Sequence, residues 1–283
     1  MCRISPAETL PEQGAAPRSG APREALASAR RPLQPFGPGA PAVHARAGVD
    51  VDFGRGELTA IMGRSGSGKS TLMHCMAGLD TVTAGTVFID GQNVGAMNQR
   101  QLTRLRRTRL GFIFQAFNLI PTLTAAENIT LPMDIARRPV DRTHFDAIVA
   151  AVGLQGRLDH RPSELSGGQQ QRVACARALV AKPAVIFADE PTGNLDSSSS
   201  GELLAFMRRS VDDLGQSVVM VTHDPRAAAY AHRVPFLADG LLVGELSSPT
   251  QASVLNMLGS MGAAPTGAVP TLAPGAALAP VGA

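Results

Sequence analysis

The sequence has little of several residue types, and each shortage narrows what the protein can be. It contains no tryptophan, one tyrosine and only three cysteines, which lie far apart and form no paired metal-ligand spacing. No stretch approaches the run of about 18 apolar residues that a membrane-spanning helix needs, and the N-terminus lacks the apolar core of a signal peptide. The cysteine pattern fits a reducing cytosol, and any membrane part of the function must come from a partner.

Strong charge of one sign is also missing. The formal net charge is +3 over 283 residues, so strong non-specific attraction to nucleic acid is not implied. The chain shows no basic stripe with interleaved aromatic residues, which argues against a nucleic-acid partner. Apolar residues make up 44% of the sequence, enough for a real core in one large domain or one domain with a smaller insert.

Composition divides the chain into an ordered centre and two tails. Residues 1–34 are rich in Ala, Pro, Arg, Gly and Ser without a sustained period, which predicts a disordered N-terminal tail. Residues 247–283 are predicted to be an Ala/Pro/Gly-rich C-terminal tail, apart from one short helical pattern at Val254 and Leu258. We therefore expect one folded domain over residues 35–246.

Within that domain, short apolar runs alternate with helical periods. Runs of strand type begin near Leu58, Thr86, Ala184, Ser217 and Val234. The continuous apolar runs among them suit a sheet that is covered on both faces. Residues of about 96–164 show mostly helical patterns instead, which predicts a helical subdomain inserted into the sheet domain. The order of elements predicts an α/β fold.

The strongest local signal is the octapeptide GRSGSGKS at residues 63–70, called here the phosphate loop. It follows an apolar strand and precedes a helix, the context in which glycine-rich backbone wraps phosphates. Lys69 should reach the β- and γ-phosphates, Ser70 should ligate Mg²⁺ and Thr71 should add a hydroxyl at the α-phosphate. The residues that we expect to contact the nucleotide here are Gly63, Ser65, Gly66, Ser67, Gly68, Lys69, Ser70 and Thr71.

A second pattern is the acidic end of the apolar strand that leads to Asp189 and Glu190. Asp189 can hold Mg²⁺, directly or through water. Glu190 is placed to polarise an attacking water, which is the role of a general base. Adjacent carboxylates could instead form a solvated turn before Pro191, but the phosphate loop upstream argues for the catalytic interpretation.

A second anion cradle lies at residues 165–169, with the sequence LSGGQ, and is called here the signature loop. Ser166 is a natural helix N-cap, and the glycines that follow leave the positive start of the helix bare. A single chain seldom needs two cradles for one phosphate chain. We therefore expect two copies to face each other, so that Ser166, Gly168 and Gln169 contact the nucleotide held by the opposite copy.

In this order the motifs resemble those of the ATP-binding-cassette (ABC) ATPases, over about residues 36–245. The resemblance implies a P-loop NTPase fold, with a RecA-like parallel-sheet core, an antiparallel β region and the inserted helical subdomain. It implies that Gln115 senses Mg²⁺ and the attacking water, as a ligand in the metal site. It further implies that His223 contacts the γ-phosphate and that Asn194–Asp196 touches the opposite subunit.

The same resemblance calls for an aromatic side chain that stacks on adenine, and Phe36 is the candidate. The strand expected just before it, Leu26–Leu33, contains two arginines and a proline and is otherwise rich in alanine. Either this strand is degenerate or the alignment slips by some residues. No Asn-Lys-x-Asp guanine reader is present, which favours ATP over GTP.

The segments Gly111–Pro132 and Ala188–Asp196 resemble the macrolide-exporter and lipoprotein-releasing branch of that family. The branch implies an ATPase that uses ATP and Mg²⁺, forms a homodimer when ATP is bound, and serves a separate integral-membrane permease. The permease would dock just past Gln115, near residues 117–124, and hold the ATPase at the cytoplasmic face of the membrane. The implied function is export or extrusion of a lipoprotein, peptide or drug. The alternative is an ATPase that drives a mechanotransmitting membrane regulator without transport.

Overall fold

The computed structural model describes residues 25–33, 49–82 and 84–263, and in this part of the chain ten strands and eight α-helices occur. The strands are β1 (Ala25–Leu33), β2 (Asp50–Gly54), β3 (Leu58–Gly63), β4 (Ala84–Ile89), β5 (Gln92–Asn93), β6 (Leu110–Phe114), β7 (Val185–Asp189), β8 (Val218–Val221), β9 (Arg233–Ala238) and β10 (Leu241–Ser247). The helices are α1 (Lys69–Met76), α2 (Gln99–Arg109), α3 (Ala125–Ala136), α4 (Arg142–Ala151), α5 (Gly167–Val180), α6 (Ser197–Leu214), α7 (Pro225–Ala228) and α8 (Gln251–Ala263).

The larger sheet has six strands. Its strand order is β10-β9-β3-β8-β7-β6, and all neighbours are parallel except β10, which forms a hairpin with β9. Successive side chains of β7 enter different cores: Ile186 and Ala188 join one, Val185 and Phe187 the other. Both faces of the sheet are therefore covered, as the continuous apolar runs predict. The α/β, P-loop NTPase class expected from the sequence is confirmed.

The smaller sheet is antiparallel, in the order β2-β1-β4-β5, and its first strand corrects a prediction. Residues 25–33 fall inside the N-terminal tail that composition predicts to be disordered, so residues 1–34 were assigned wrongly in that part and the folded domain does not start at residue 35. The strand forms because Leu26, Ala27 and Ala29 are at most 1% exposed and β1 pairs with both β2 and β4. Two-sided pairing and burial override the weak strand propensity of alanine.

The helical subdomain also starts later than its predicted bounds of about 96–164. Residues Leu110–Phe114 form β6, an edge strand of the larger sheet that pairs in parallel with β7. A short apolar run of this kind cannot be told from a buried helical segment by periodicity alone. The subdomain proper follows β6, where α3 and α4 pack against α5.

The predicted C-terminal tail begins with an ordered helix. Thr250 and Ser253 exchange hydrogen bonds between backbone N–H and hydroxyl groups at the start of α8, with distances of 2.9 and 3.1 Å. Val254 is completely buried, and Met257 and Leu258 pack against the core. The short helical pattern expected at Val254 and Leu258 is confirmed. Across the described ranges, the helices are too short or too polar to cross a membrane.

Candidate functional site

The phosphate loop, Glu190 and His223 line one open cavity of about 830 Å³. The loop joins the end of β3 to the start of α1, while Glu190 and His223 lie just past the ends of β7 and β8. Because β3, β8 and β7 are parallel neighbours, their carboxyl ends meet at one edge of the sheet, where ligands of open α/β sheets bind. The sheet thus brings residues from three separate parts of the sequence to one cavity.

Glycines shape the phosphate loop. Gly66 and Gly68 have φ angles of +80° and +92°, which side chains of L-residues rarely adopt. A Cβ at Gly63 would collide with the carbonyl of Leu237 and the hydroxyl of Ser67. Gly68 is the N-cap of α1 and makes no side-chain capping bond, so the first N–H groups of the helix have no competing side chain. An anion is the natural partner for such a helix start.

Lys69 is held over the loop. Its Nζ donates to the carbonyl oxygens of Gly63 at 3.0 Å and Arg64 at 2.9 Å. Burial lowers the pKa of Lys69, while the charges of Glu190 and Asp189 oppose that shift. The Lys69 ammonium group is buried beside two carboxylates, at the point where phosphate oxygens would bind. Its charge acts more strongly there than in water, because the local dielectric constant is lower.

Asp189 contacts Ser70, which lines the cavity. The Ser70 hydroxyl donates to Oδ1 of Asp189 at 3.2 Å, so a hydroxyl and a carboxylate oxygen lie together. These are hard oxygen ligands, which Mg²⁺ prefers in company with substrate phosphates. His74 was given no role by sequence reasoning, yet its Nε2 lies 3.9 Å from Oδ2 of Asp189. The signal that could have found it is its place four residues after Ser70, on the same face of α1.

Glu190 and His223 are in direct contact. His223 Nδ1 and Glu190 Oε1 are 2.7 Å apart, and the His223 side chain is 74% exposed whereas that of Glu190 is 19% exposed. Glu190 has a φ of +45°, a left-handed backbone conformation that is uncommon for a residue other than glycine. Strain of this kind persists where surrounding contacts hold it, and it clusters at functional sites. Here the Glu190 N–H donates to Val221 at 2.9 Å.

Gln115 lies beside this cavity but does not line it. Its side-chain Nε2 donates to Oδ1 of Asn194 at 3.3 Å, and Asn194 returns a bond to the Gln115 carbonyl at 3.0 Å. Because Phe114 pairs with Asp189, Gln115 follows the end of β6 next to the acidic end of β7. The structure therefore places Gln115 at the carboxyl edge of the larger sheet, hydrogen-bonded to Asn194.

The signature loop is built as a helix start and stands apart from the cavity. Ser166 caps α5 by accepting from the Gln169 N–H at 3.3 Å, while the Gln169 side chain accepts from the Ser166 N–H at 2.9 Å. A Cβ at Gly168 would lie 2.9 Å from the Ser199 hydroxyl, so the loop runs close to α6. In the described part of the chain, Ser166, Gly168 and Gln169 do not join the cavity lining.

A buried amide that the sequence did not single out ties the signature helix to the acidic strand end. Gln171, on the first turns of α5, is completely buried and donates from Nε2 to the Pro191 carbonyl at 2.6 Å. Pro191 directly follows Glu190, so the bond links the helix behind the signature loop to the backbone that carries the carboxylate. Phe36, the expected adenine contact, lies outside the described residues.

A glycine-rich loop at a helix start, an acidic strand end behind it and a carboxylate paired with histidine define a P-loop nucleoside-triphosphatase. The chain belongs to the ABC transporter family, whose pattern matches residues 47–193. It is an ATPase of that family.

Proteins of similar sequence and structure are consistent with this family assignment. The chain is 46% identical over 206 residues to a lipoprotein-releasing system ATP-binding protein LolD of Shewanella frigidimarina, covering 72% of this chain and 86% of that protein. It is 47% identical over 199 residues to a macrolide export ATP-binding/permease protein MacB of Paracoccus denitrificans, of which it spans only 30%. A dimeric, post-hydrolysis structure of the ATP-binding cassette MJ0796 with ADP and Pi superposes with a TM-score of 0.71 and 36% identity, over 80% of this chain and all of that one.

The buried Gln171 amide yields a pH-dependent prediction. In Gln171→Glu, a buried carboxylate would face the Pro191 carbonyl without a donor, and we expect a loss of about 2 kcal/mol or more in unfolding free energy at pH 7. Burial favours the protonated form, so its folded pKa is raised and the native state binds more protons than the unfolded state; stability therefore falls as pH rises above the unfolded value of about 4.3. Urea unfolding at pH 5 and pH 8 would measure this loss.

The matched control is Gln99→Glu, at an exposed position at the start of α2. It should change the unfolding free energy by no more than about 0.5 kcal/mol at either pH. Equal effects of the two substitutions, or a Gln171→Glu cost that does not grow with pH, would contradict the role given to this amide.

Proposed function

We propose that this chain is the ATP-hydrolysing subunit of an export or releasing system, that it works as a homodimer, and that it energises a separate membrane permease. The observation that carries the dimer is the separation of the two cradles. The phosphate loop lines the cavity with Glu190 and His223, whereas the signature loop of the same chain does not line it. A second copy, related head to tail, would bring its own signature loop to the open cavity. The dimeric MJ0796 cassette supports this arrangement.

In this proposal the chain's own residues prepare water attack on the γ-phosphate. Glu190 accepts a proton from water while the oxygen of that water bonds to phosphorus and the bond to the leaving diphosphate oxygen breaks. His223 holds one oxygen of the Glu190 carboxylate. Lys69 and the N–H groups of the phosphate loop meet the charge on the transferring group. Ser70 and Asp189, whose oxygens are adjacent, would hold Mg²⁺ together with Gln115, and the ion when bound would neutralise phosphate charge.

A groove near Gln115 is a candidate docking site for the permease. An apolar groove of about 450 Å³ lies between β6 and α3. Its apolar side chains are those of Leu110, Phe112, Phe114, Leu131, Pro132, Ile135, Ala178 and Ala181, and Arg106, Arg107 and Arg177 also line it. Arg177 donates to the carbonyls of Phe117 and Asn118 at 2.8 and 2.6 Å. A short amphipathic helix of a membrane protein suits such a groove, and docking there would hold the chain at the cytoplasmic face of the membrane.

The alternative is an ATPase that drives a membrane regulator without transport. Its catalytic residues would be the same, so the site does not distinguish it. The relatives are described as parts of a lipoprotein-releasing system and of a macrolide exporter, and these descriptions favour a transport role. The alternative is therefore not favoured. The permease would determine which substrate is transported.

The first test concerns the general base. Glu190→Gln removes the proton acceptor but keeps the shape of the side chain, so it should retain ATP binding and slow hydrolysis about 100-fold or more. Phosphate release at saturating ATP measures the rate, and binding of a fluorescent ATP analogue measures affinity. The control Glu245→Gln, on β10, should hydrolyse at the normal rate. Near-normal turnover in purified Glu190→Gln protein would remove Glu190 from this role.

The second test concerns the shared site. Glu190→Gln protein with ATP should sediment as a dimer, because bound ATP joins the two copies. Adding Gly168→Asp places a negative charge where the opposite γ-phosphate would lie, and the dimer should be lost. Gly168→Asn has the same shape without the charge and should keep a measurable dimer. Persistence of the dimer in the Asp variant would refute the shared-site geometry.

The third test concerns the groove. Ile135 is 58% exposed at its edge, and Ile135→Asp should reduce co-purification of the permease from detergent-solubilised membranes of the source cells about tenfold or more, because it places a charge in an apolar contact. The ATPase rate of the isolated variant should not change. Leu214→Asp, at a 62% exposed residue on the end of α6, is the matched control. If both variants retain the permease equally, the groove is not its seat.

A further inference from the structure

One residue that lines the nucleotide cavity lies outside all the sequence motifs described above. Leu258, on α8, lines the cavity together with the phosphate loop, Glu190 and His223. Among the described lining residues it is the single aliphatic side chain, since the others are glycines, hydroxyl-bearing residues and charged or titratable groups. A helix near the C-terminal end of the folded part therefore contributes to a cavity that is otherwise built from loops at the sheet edge.

The position of Leu258 is fixed by the way α8 is seated. Val254 is completely buried, and Met257 lies so close to β10 that a Cβ at Gly244 would come within 3.3 Å of its Cε. The helix also packs against α7, which begins directly after Asp224 and hence next to His223. Leu258 stands one residue after Met257 and one turn after Val254, so the buried face of α8 continues into the cavity wall.

We propose that Leu258 is a nucleotide-site residue: an apolar wall on the His223 side of the cavity that shields the bound phosphates from water. Replacing water by a methyl-bearing side chain lowers the local dielectric and strengthens the attraction between phosphate oxygens and Lys69. Glu190 lines the same cavity, where stray water would compete with the attacking one. This inference rests on the proposed placement of ATP phosphates in the phosphate loop.

A charge-reversal pair tests the placement. Leu258→Asp brings a negative charge toward the phosphates and should weaken binding of a fluorescent ATP analogue to the isolated subunit about fivefold or more, whereas Leu258→Lys should strengthen it about twofold or more. Both shifts should shrink in high salt. Leu255 lies on the outer face of the same helix and is 50% exposed. Leu255→Asp and Leu255→Lys should each change the affinity less than about twofold.

The opposite signs separate direct contact from damage to the helix. Unseating α8 would weaken binding in both Leu258 variants, so equal losses, or no change in either, would overturn the proposal. Should Leu258→Asp fail to fold, Leu258→Lys still decides the matter, because its long stem retains apolar contact and its charge reaches the cavity. Lys69→Ala monitors the underlying site: an unchanged affinity there would reject the phosphate placement itself. If Lys69→Ala loses affinity while the Leu258 variants leave it unchanged, only the role proposed for Leu258 is rejected.

Discussion

The pairing register of four parallel strands is the constraint on which this site depends. Phe114 pairs with Asp189 and Asp189 with Val221, so β6, β7 and β8 end level with one another, while β3 continues two residues past Ile61, the partner of Val221. The residues that follow each end therefore emerge at one edge. Because side chains alternate along a strand, a slip of one residue in any pairing would move the whole core pattern to the wrong face. Burial of the sheet on both sides thus fixes the catalytic geometry as well as the stability.

The second organising feature is the connection between α5 and the acidic strand end. The signature loop begins α5, and the buried Gln171 of that helix holds the Pro191 carbonyl. Close by, a Cβ at Gly193 would lie 2.6 Å from the Gln115 side chain, so the loop after β7 is packed tightly against the end of β6. The part of the chain that would contact a second copy is in this way tied to the part that would perform hydrolysis.

The sequence predicted the local parts of the site and missed those that depend on distant contacts. The phosphate loop and the Asp189–Glu190 pair were accessible because each is a contiguous motif whose residue types state its chemistry. Composition alone assigned β1 to a tail, since its alanines become strand residues only between β2 and β4, and only the family resemblance called for a strand at Leu26–Leu33. Leu258 was predicted only as part of a short helical pattern in the C-terminal tail, and nothing in that pattern indicates that α8 contributes to the cavity. The contact between His74 and Asp189 depends on tertiary packing, although the spacing of His74 four residues after Ser70 places both on one face of α1.

The left-handed backbone of Glu190 has a consequence for the selection of more thermostable variants of this protein. Glycine adopts that conformation without the steric cost of about 1 kcal/mol or more that another residue incurs. A library screened only for thermal resistance would accordingly reward exchange of Glu190 for glycine, and the rewarded clones would have lost the carboxylate. With Glu190 as the proposed general base, thermal stability and hydrolysis make opposite demands on this residue, so such a screen needs a turnover assay at every round.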